Sequence, residues 1–263
     1  MAGQWVAGAA EAEADQAPVR LFCFAHAGGG AGFFQPWRAA LRSEVDVRPV
    51  LLPGRESRVR ETPYTRAEDL LGPLTEALLP LTDKPYALFG HSMGSVLAYE
   101  TARRLTAVAD RAPLCVFASG RRAPQLPRRH PPLHSLPEDD FLHGVSRLNG
   151  TPPEVLRQPE LFRLFIPALR ADFALNELYT PLPGPALGCP VSGLVGDADP
   201  EVDVDEMAAW RHTTEAGFTL RVFRGDHFYL KGRPAELLAA IAADLRRLLP
   251  AQATTAVHVS AQS

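Results

Sequence analysis

Lysine is almost missing: Lys84 and Lys231 are the two lysines of a 263-residue chain that carries 25 arginines. With the surplus of Ala and Pro, that imbalance reflects GC-rich codon usage rather than a function. A net charge of −3 gives no bulk electrostatic case for binding nucleic acid or an anionic membrane. Cysteine is scarce and odd in number, as Cys23, Cys115 and Cys189. No metal-ligand spacing joins them, which predicts reduced thiols in a cytoplasmic protein without metal or other cofactor. No apolar run approaches the length of a membrane span. The opening MAGQWVAGAAEAEADQAP lacks the basic and apolar regions of a signal peptide.

What is abundant is proline, 25 residues, alongside 20 glycines. The prolines are uneven: 13 of them fall in residues 121–190. Outside that block, short apolar runs alternate with helical patterns. Strands are expected at Arg20–Phe24, Val45–Leu52, Tyr86–Phe89, Leu114–Ala118, Val191–Val195 and Leu220–Phe223. Helices are expected at Phe33–Arg42, after a capping box of Thr65 and Glu68, at Ser92–Leu105, at Val204–Thr213, and from Pro234 onward. This alternation predicts an α/β fold, a mostly parallel sheet covered on both faces. Residues 18–120 and 186–250 form its core, and 121–185 a helical insertion. The insertion reads as Glu138–Arg147 and Glu160–Tyr179, with a kink at Pro167. Residues 1–17 and 251–263 read as flexible ends.

Gly90-His91-Ser92-Met93-Gly94 is a G-x-S-x-G sequence between an expected strand and an expected helix. A strand that turns sharply into a helix strains the central residue and lifts its hydroxyl above the sheet, with glycines leaving room on either side. Ser92 is therefore the candidate nucleophile, and it needs a base. His227 follows the last strand in Arg224-Gly225-Asp226-His227-Phe228. Loops at the carboxyl ends of parallel strands gather at one edge, so Ser92 and His227 can meet. His91 reads as structural; His130, His134, His143, His212 and His258 read as surface.

The orienting acid belongs between serine and histidine, in Gly196-Asp197-Ala198-Asp199-Pro200. Asp199 is preferred, with Asp197 the alternative whose other role is to form the turn. Asp203 and Asp205 suit a helix cap, and Asp226 suits holding its loop. Two backbone donors should hold the developing oxyanion. One is the N–H of Met93. The other comes from His26-Ala27-Gly28-Gly29, with Ala27 first and Gly28 next. The Gly-rich stretch matches neither dinucleotide nor P-loop spacing.

HAGGG, LLPGRESR, YALFGHSMGSVLAYE, GDADP and GDHFYL occur in that order. Over roughly residues 19–249 the chain resembles the type II thioesterases, α/β-hydrolases that accompany polyketide synthases and nonribosomal peptide synthetases. The resemblance implies hydrolysis of acyl thioesters on the phosphopantetheine arm of acyl or peptidyl carrier proteins. It assigns Ser92, Asp199 and His227 to a catalytic triad, and Met93 and Ala27 to the oxyanion hole. It also makes the 121–185 insertion a mobile lid. Phe141, Phe162, Phe165, Ile166, Leu169 and Phe173 would then wall an acyl chamber or pack the lid, with His26, Gly28 and Phe228 on the chamber's other side. Arg121, Arg122, Arg128 and Arg129 read as a solvated basic surface or as a dock for an acidic carrier. A general carboxylesterase or lipase, a releasing domain of a synthase, and a non-catalytic hydrolase-fold binding protein are the alternatives.

Overall fold

Six parallel strands lie at the centre of the computed structural model, which describes residues 2–7, 16–147, 163–232 and 234–249. The strands are β1 (Val19–Phe24), β2 (Val45–Pro49), β3 (Tyr86–His91), β4 (Val116–Ser119), β5 (Val191–Gly196) and β6 (Phe218–Phe223). Their spatial order is β2-β1-β3-β4-β5-β6. The described helices are α1 (Ala2–Trp5), α2 (Gln35–Leu41), α3 (Ala67–Leu78), α4 (Met93–Val108), α5 (Glu138–Ser146), α6 (Ile166–Leu178), α7 (Val204–Ala208), α8 (Tyr229–Gly232) and α9 (Pro234–Leu248).

The apolar runs become strands because they are buried on both faces. Every residue of β1 to β5 is buried, and only the edge strand β6 is partly open. Side chains alternate between two cores. Phe22, Phe24, Leu88 and Val116 pack with Leu70, Leu74 and Leu97 from α3 and α4. Leu21, Cys23, Phe89 and Phe117 pack on the opposite face with Trp37, Leu237 and Ile241 from α2 and α9.

Several local expectations need correction. The N-terminus is not loose throughout: Val6 forms an antiparallel bridge to Val50, and Trp5 and Val6 are buried. Leu51 N–H donates to the Trp5 carbonyl at 2.9 Å, and the Arg58 guanidinium lies 4.2 Å from the centre of the Trp5 ring. A reading from small and polar composition overlooked how much apolar area one tryptophan buries. β2 ends at Pro49 rather than at Leu52, although Val50 N–H still donates to the Cys23 carbonyl of β1 at 2.8 Å. Thr65 and Glu68 form no capping box, because α3 starts one residue later, with Arg66 at its N-cap. A complete capping box forms instead between Asp203 and Glu206 at the start of α7.

The insertion departs from β4 and returns at β5. Its helices α5 and α6 build a small core of Phe141, Val145, Ile166, Leu169 and Phe173. Pro167 does not kink a long helix. It lies in the first turn of α6, where a missing N–H leaves no internal hydrogen bond unmade. Residues 160–162 lie outside the described residues. Tyr179 and Leu182 fasten the end of the insertion to α4 through Glu100, which accepts from the Tyr179 hydroxyl at 2.7 Å.

The strand order reverses direction between β1 and β3, so the loops leaving these two strands part to opposite sides of the sheet and open a crevice. Ser92 directly follows one of these strands, and His26–Gly29 follow the other.

Candidate active site

Ser92 stands at a backbone position that few residues adopt, with φ 55° and ψ −120°. This conformation turns the chain from β3 into α4 within one residue. It is over-determined by its surroundings. Ser92 N–H donates to the Ser119 carbonyl at 2.8 Å, and the Ser95 hydroxyl donates to the Gly90 carbonyl at 2.9 Å. A Cβ on Gly90 would collide with the Gly94 carbonyl, and one on Gly94 with the Phe24 carbonyl. Both glycines of the motif are thus required by close backbone approach.

His227 sits in the loop after β6. Its Nδ1 lies 2.9 Å from Asp199 Oδ2 and 3.1 Å from Oδ1. The Asp199 side chain is fully buried, and its Oδ1 also accepts from the Glu201 N–H at 2.8 Å. Asp197 faces elsewhere and accepts from the Gly225 N–H at 2.9 Å. Asp226 accepts from the Phe228 N–H within its own loop.

Ser92 and His227 open into one cavity of about 830 Å³. His26, Gly28, Phe165, Phe173 and Phe228 line it as well, and Phe162 lies outside the described residues. The insertion contributes much of the apolar wall, including Leu133, Val145 and Leu169.

Two histidines beside the site are held neutral. Burial first, then unfavourable electrostatics from Lys231, His227 and Arg55, pulls His26 down to about 3. Burial likewise keeps His91 well below the usual imidazole range. His91 Nδ1 lies 2.9 Å from the Ser119 hydroxyl, which in turn lies 2.7 Å from the Tyr229 hydroxyl. His134 is not a free surface residue: its Nδ1 lies 2.6 Å from Glu177 Oε2.

The arginines that open the insertion divide into two kinds, with Arg121 and Arg122 partly buried and Arg128 and Arg129 exposed. Burial pulls Arg121 down to about 10, and Arg129 is paired with Asp203 and Glu206. Arg122 lies 4.0 Å from Glu206, whereas Arg128 is exposed and lines the cavity.

Sequence reasoning missed a buried cluster at the loop after β1. Arg55 grips Asp172 with two hydrogen bonds of 2.8 and 2.6 Å. Asp172 also accepts from the Gly28 N–H at 2.7 Å, so that amide is engaged. Among the described residues, the Ala27 and Met93 amides carry no such side-chain partner. A signal was present in Asp172 itself, a carboxylate inside the apolar stripe of Leu169 and Phe173. Burial of such a group requires a cation or hydrogen-bond donors.

A family model described as Thioesterase domain matches residues 19–245. The chain belongs to the thioesterase family. The thioesterase PikA5 of Streptomyces venezuelae is 39% identical to it over 226 residues, 85% of this chain and 80% of that protein. Linear gramicidin dehydrogenase LgrE of Brevibacillus parabrevis is 41% identical over 237 residues, 89% of this chain and 90% of LgrE. The dehydrogenase name belongs to that relative; the present loop after β1 lacks dinucleotide-binding spacing. Among solved structures, the type II thioesterase BorB from the borrelidin biosynthetic cluster matches at 36% identity and TM-score 0.81, covering 92% of this chain and 96% of BorB. This thioesterase is thus a thioester hydrolase on an α/β-hydrolase sheet. No described helix is long and apolar enough to cross a membrane.

Proposed function

We propose that this thioesterase releases acyl groups from the phosphopantetheine arm of an acyl or peptidyl carrier protein in polyketide or nonribosomal peptide assembly. The observation that carries the reading is His227, paired with the buried Asp199, lining the same cavity as the strained Ser92. The biosynthetic relatives support the carrier-bound substrate.

Ser92 Oγ attacks the thioester carbonyl carbon while His227 takes the hydroxyl proton. The carbonyl oxygen becomes an oxyanion held by the N–H groups of Met93 and Ala27. The tetrahedral intermediate collapses, the C–S bond breaks, and His227 returns its proton to the leaving thiol. A water molecule, deprotonated by His227, then attacks the acyl-enzyme; the C–Oγ bond breaks, Ser92 recovers a proton and the acid leaves. Asp199 keeps His227 in the useful tautomer and stabilises its cationic form. The apolar wall that Leu133, Val145, Leu169 and Phe173 supply houses the acyl chain, and the insertion that carries them acts as the lid.

Hydrolysis of a series of acyl groups on an intact carrier protein, compared with matched oxygen esters, tests the proposal. The expected result is preference for the carrier thioester and its loss in Ser92→Ala, with carrier binding retained. Wild-type hydrolysis by Ser92→Ala would sink the mechanism; equal turnover of the oxygen esters would make this a general esterase.

A further inference from the structure

The loop that carries Ala27 is held from a distant part of the chain. In a trans peptide the N–H points opposite to the preceding carbonyl, so fixing the His26 C=O fixes the direction of the Ala27 N–H. The His26 carbonyl accepts from Gly29 N–H at 2.9 Å. The next amide, Gly28 N–H, is fixed on Asp172 Oδ2 at 2.7 Å. The Gly29 carbonyl accepts from Arg55 Nη1 at 2.9 Å, and the same guanidinium grips Asp172. Gly28 has φ +76°, and a Cβ there would lie 2.7 Å from Leu169 Cδ1. The peptides on both sides of Ala27 are therefore held by contacts that lead to Asp172 and Leu169, both on α6 of the insertion. The Arg55 and Asp172 side chains are only 10% and 2% exposed, so neither exchanges its partner for water.

We infer that Asp172 is a positioning residue for oxyanion stabilisation: it makes correct placement of the Ala27 amide depend on α6 being seated. The inference rests on the proposed role of Ala27. It links the insertion to the chemical step as well as to the acyl chamber. An insertion lifted from the core would release Gly28 and Arg55 together and loosen the oxyanion donor. Asp172 itself touches no reacting atom.

The test compares wild type with Asp172→Asn, Arg55→Lys and Ala27→Pro, all first confirmed folded by thermal unfolding. Asn at 172 retains an acceptor for Gly28 but loses the charge that holds Arg55. Lys at 55 retains the charge but loses the two-pronged grip, and so covers the case in which the Asp172 variant does not fold. Each is assayed with a short-chain thioester of a small thiol and with an alkyl boronic acid, which forms a tetrahedral adduct on the serine. The expected result for Asp172→Asn and Arg55→Lys is a kcat about ten- to a hundredfold lower, with KM within about twofold. Boronate affinity should weaken in step with kcat, and the pH midpoint of kcat/KM should stay put. A purely structural role would lower stability and leave these ratios unchanged. Wild-type kcat in both folded variants, or a rise in KM alone, overturns the inference. Ala27→Pro removes the proposed donor. If it keeps wild-type kcat, the oxyanion reading of Ala27 fails. If it is crippled while the other two are normal, only the role of Asp172 fails.

Discussion

Asp197 and Asp199 are two residues apart, yet one lies against a backbone amide and the other against an imidazole. Their substitution effects should separate accordingly. Asp199→Asn should lower kcat by roughly 10⁴-fold, because the amide favours the wrong tautomer of His227. Asp197→Asn should leave kcat within about tenfold and act on stability, since it holds the turn at Gly225. Comparable kcat losses in the two variants would remove this division of roles. His26 and His91 make a separate residue-scale prediction. Both have folded-state pKa values below their unfolded values, so the native protein binds fewer protons than the unfolded chain. Their contribution to stability is present above the unfolded value of about 6.5 and declines as pH falls toward the folded values. Each adds a slope of up to about 1.4 kcal/mol per pH unit in that window. Thermal unfolding between pH 7 and pH 5 should show Tm falling with pH, and His26→Gln should flatten the fall.

The elements show how glycine and capping place Ser92 and its neighbours. Gly94 opens α4 directly against the β1 backbone, and an added methyl meets the Phe24 carbonyl. Gly94→Ala should destabilise the protein by about 3 kcal/mol, measured by denaturant unfolding, because backbone cannot yield as a side-chain tip can. The Asp203–Glu206 capping box serves α7, and Asp203 also receives Arg129 from the insertion. Asp203→Ala should cost about 1 kcal/mol through the lost cap. The exposed ion pair adds little. Thr65 had the same sequence signature and no cap. A four-residue pattern names a possible start; the helix starts where its apolar stripe meets the sheet, and packing chooses between adjacent residues.

At the scale of the molecule, the sheet and the insertion are built differently. The sheet is continuous and buried, whereas the described part of the insertion has a small core of its own around Phe141 and Phe173, packs Ala123 and Leu175 into the sheet's core, and is tied through Glu100, Asp172 and Arg129. Pro137 and Pro167 stand at the starts of its described helices α5 and α6. Hydrogen exchange should therefore be faster in α5 than in β1, β3 or β4, and a bound acyl mimic should slow it. Equal protection in the free protein would show that the insertion opens only with the whole fold.

Local patterning along the chain specifies the alternation of buried strands and striped helices, hence the parallel sheet. It also determined the glycine-flanked Ser92 and the loop positions of His227 and the two aspartates. These follow from local periodicity, the steric needs of a sharp turn, and the common edge at which parallel strands end. The folded arrangement chose between the two aspartates, and Asp199, the one the loop position favours, is the one that meets His227. It also set that Trp5 and Val6 belong to the core, that Arg129 pairs with Asp203 and Glu206, and that Asp172 reaches across 144 residues to Gly28. Those outcomes depend on which distant groups arrive together as water is excluded. A buried charge or an open apolar ring must find its partner in space, and no local pattern along the chain specifies where that partner lies.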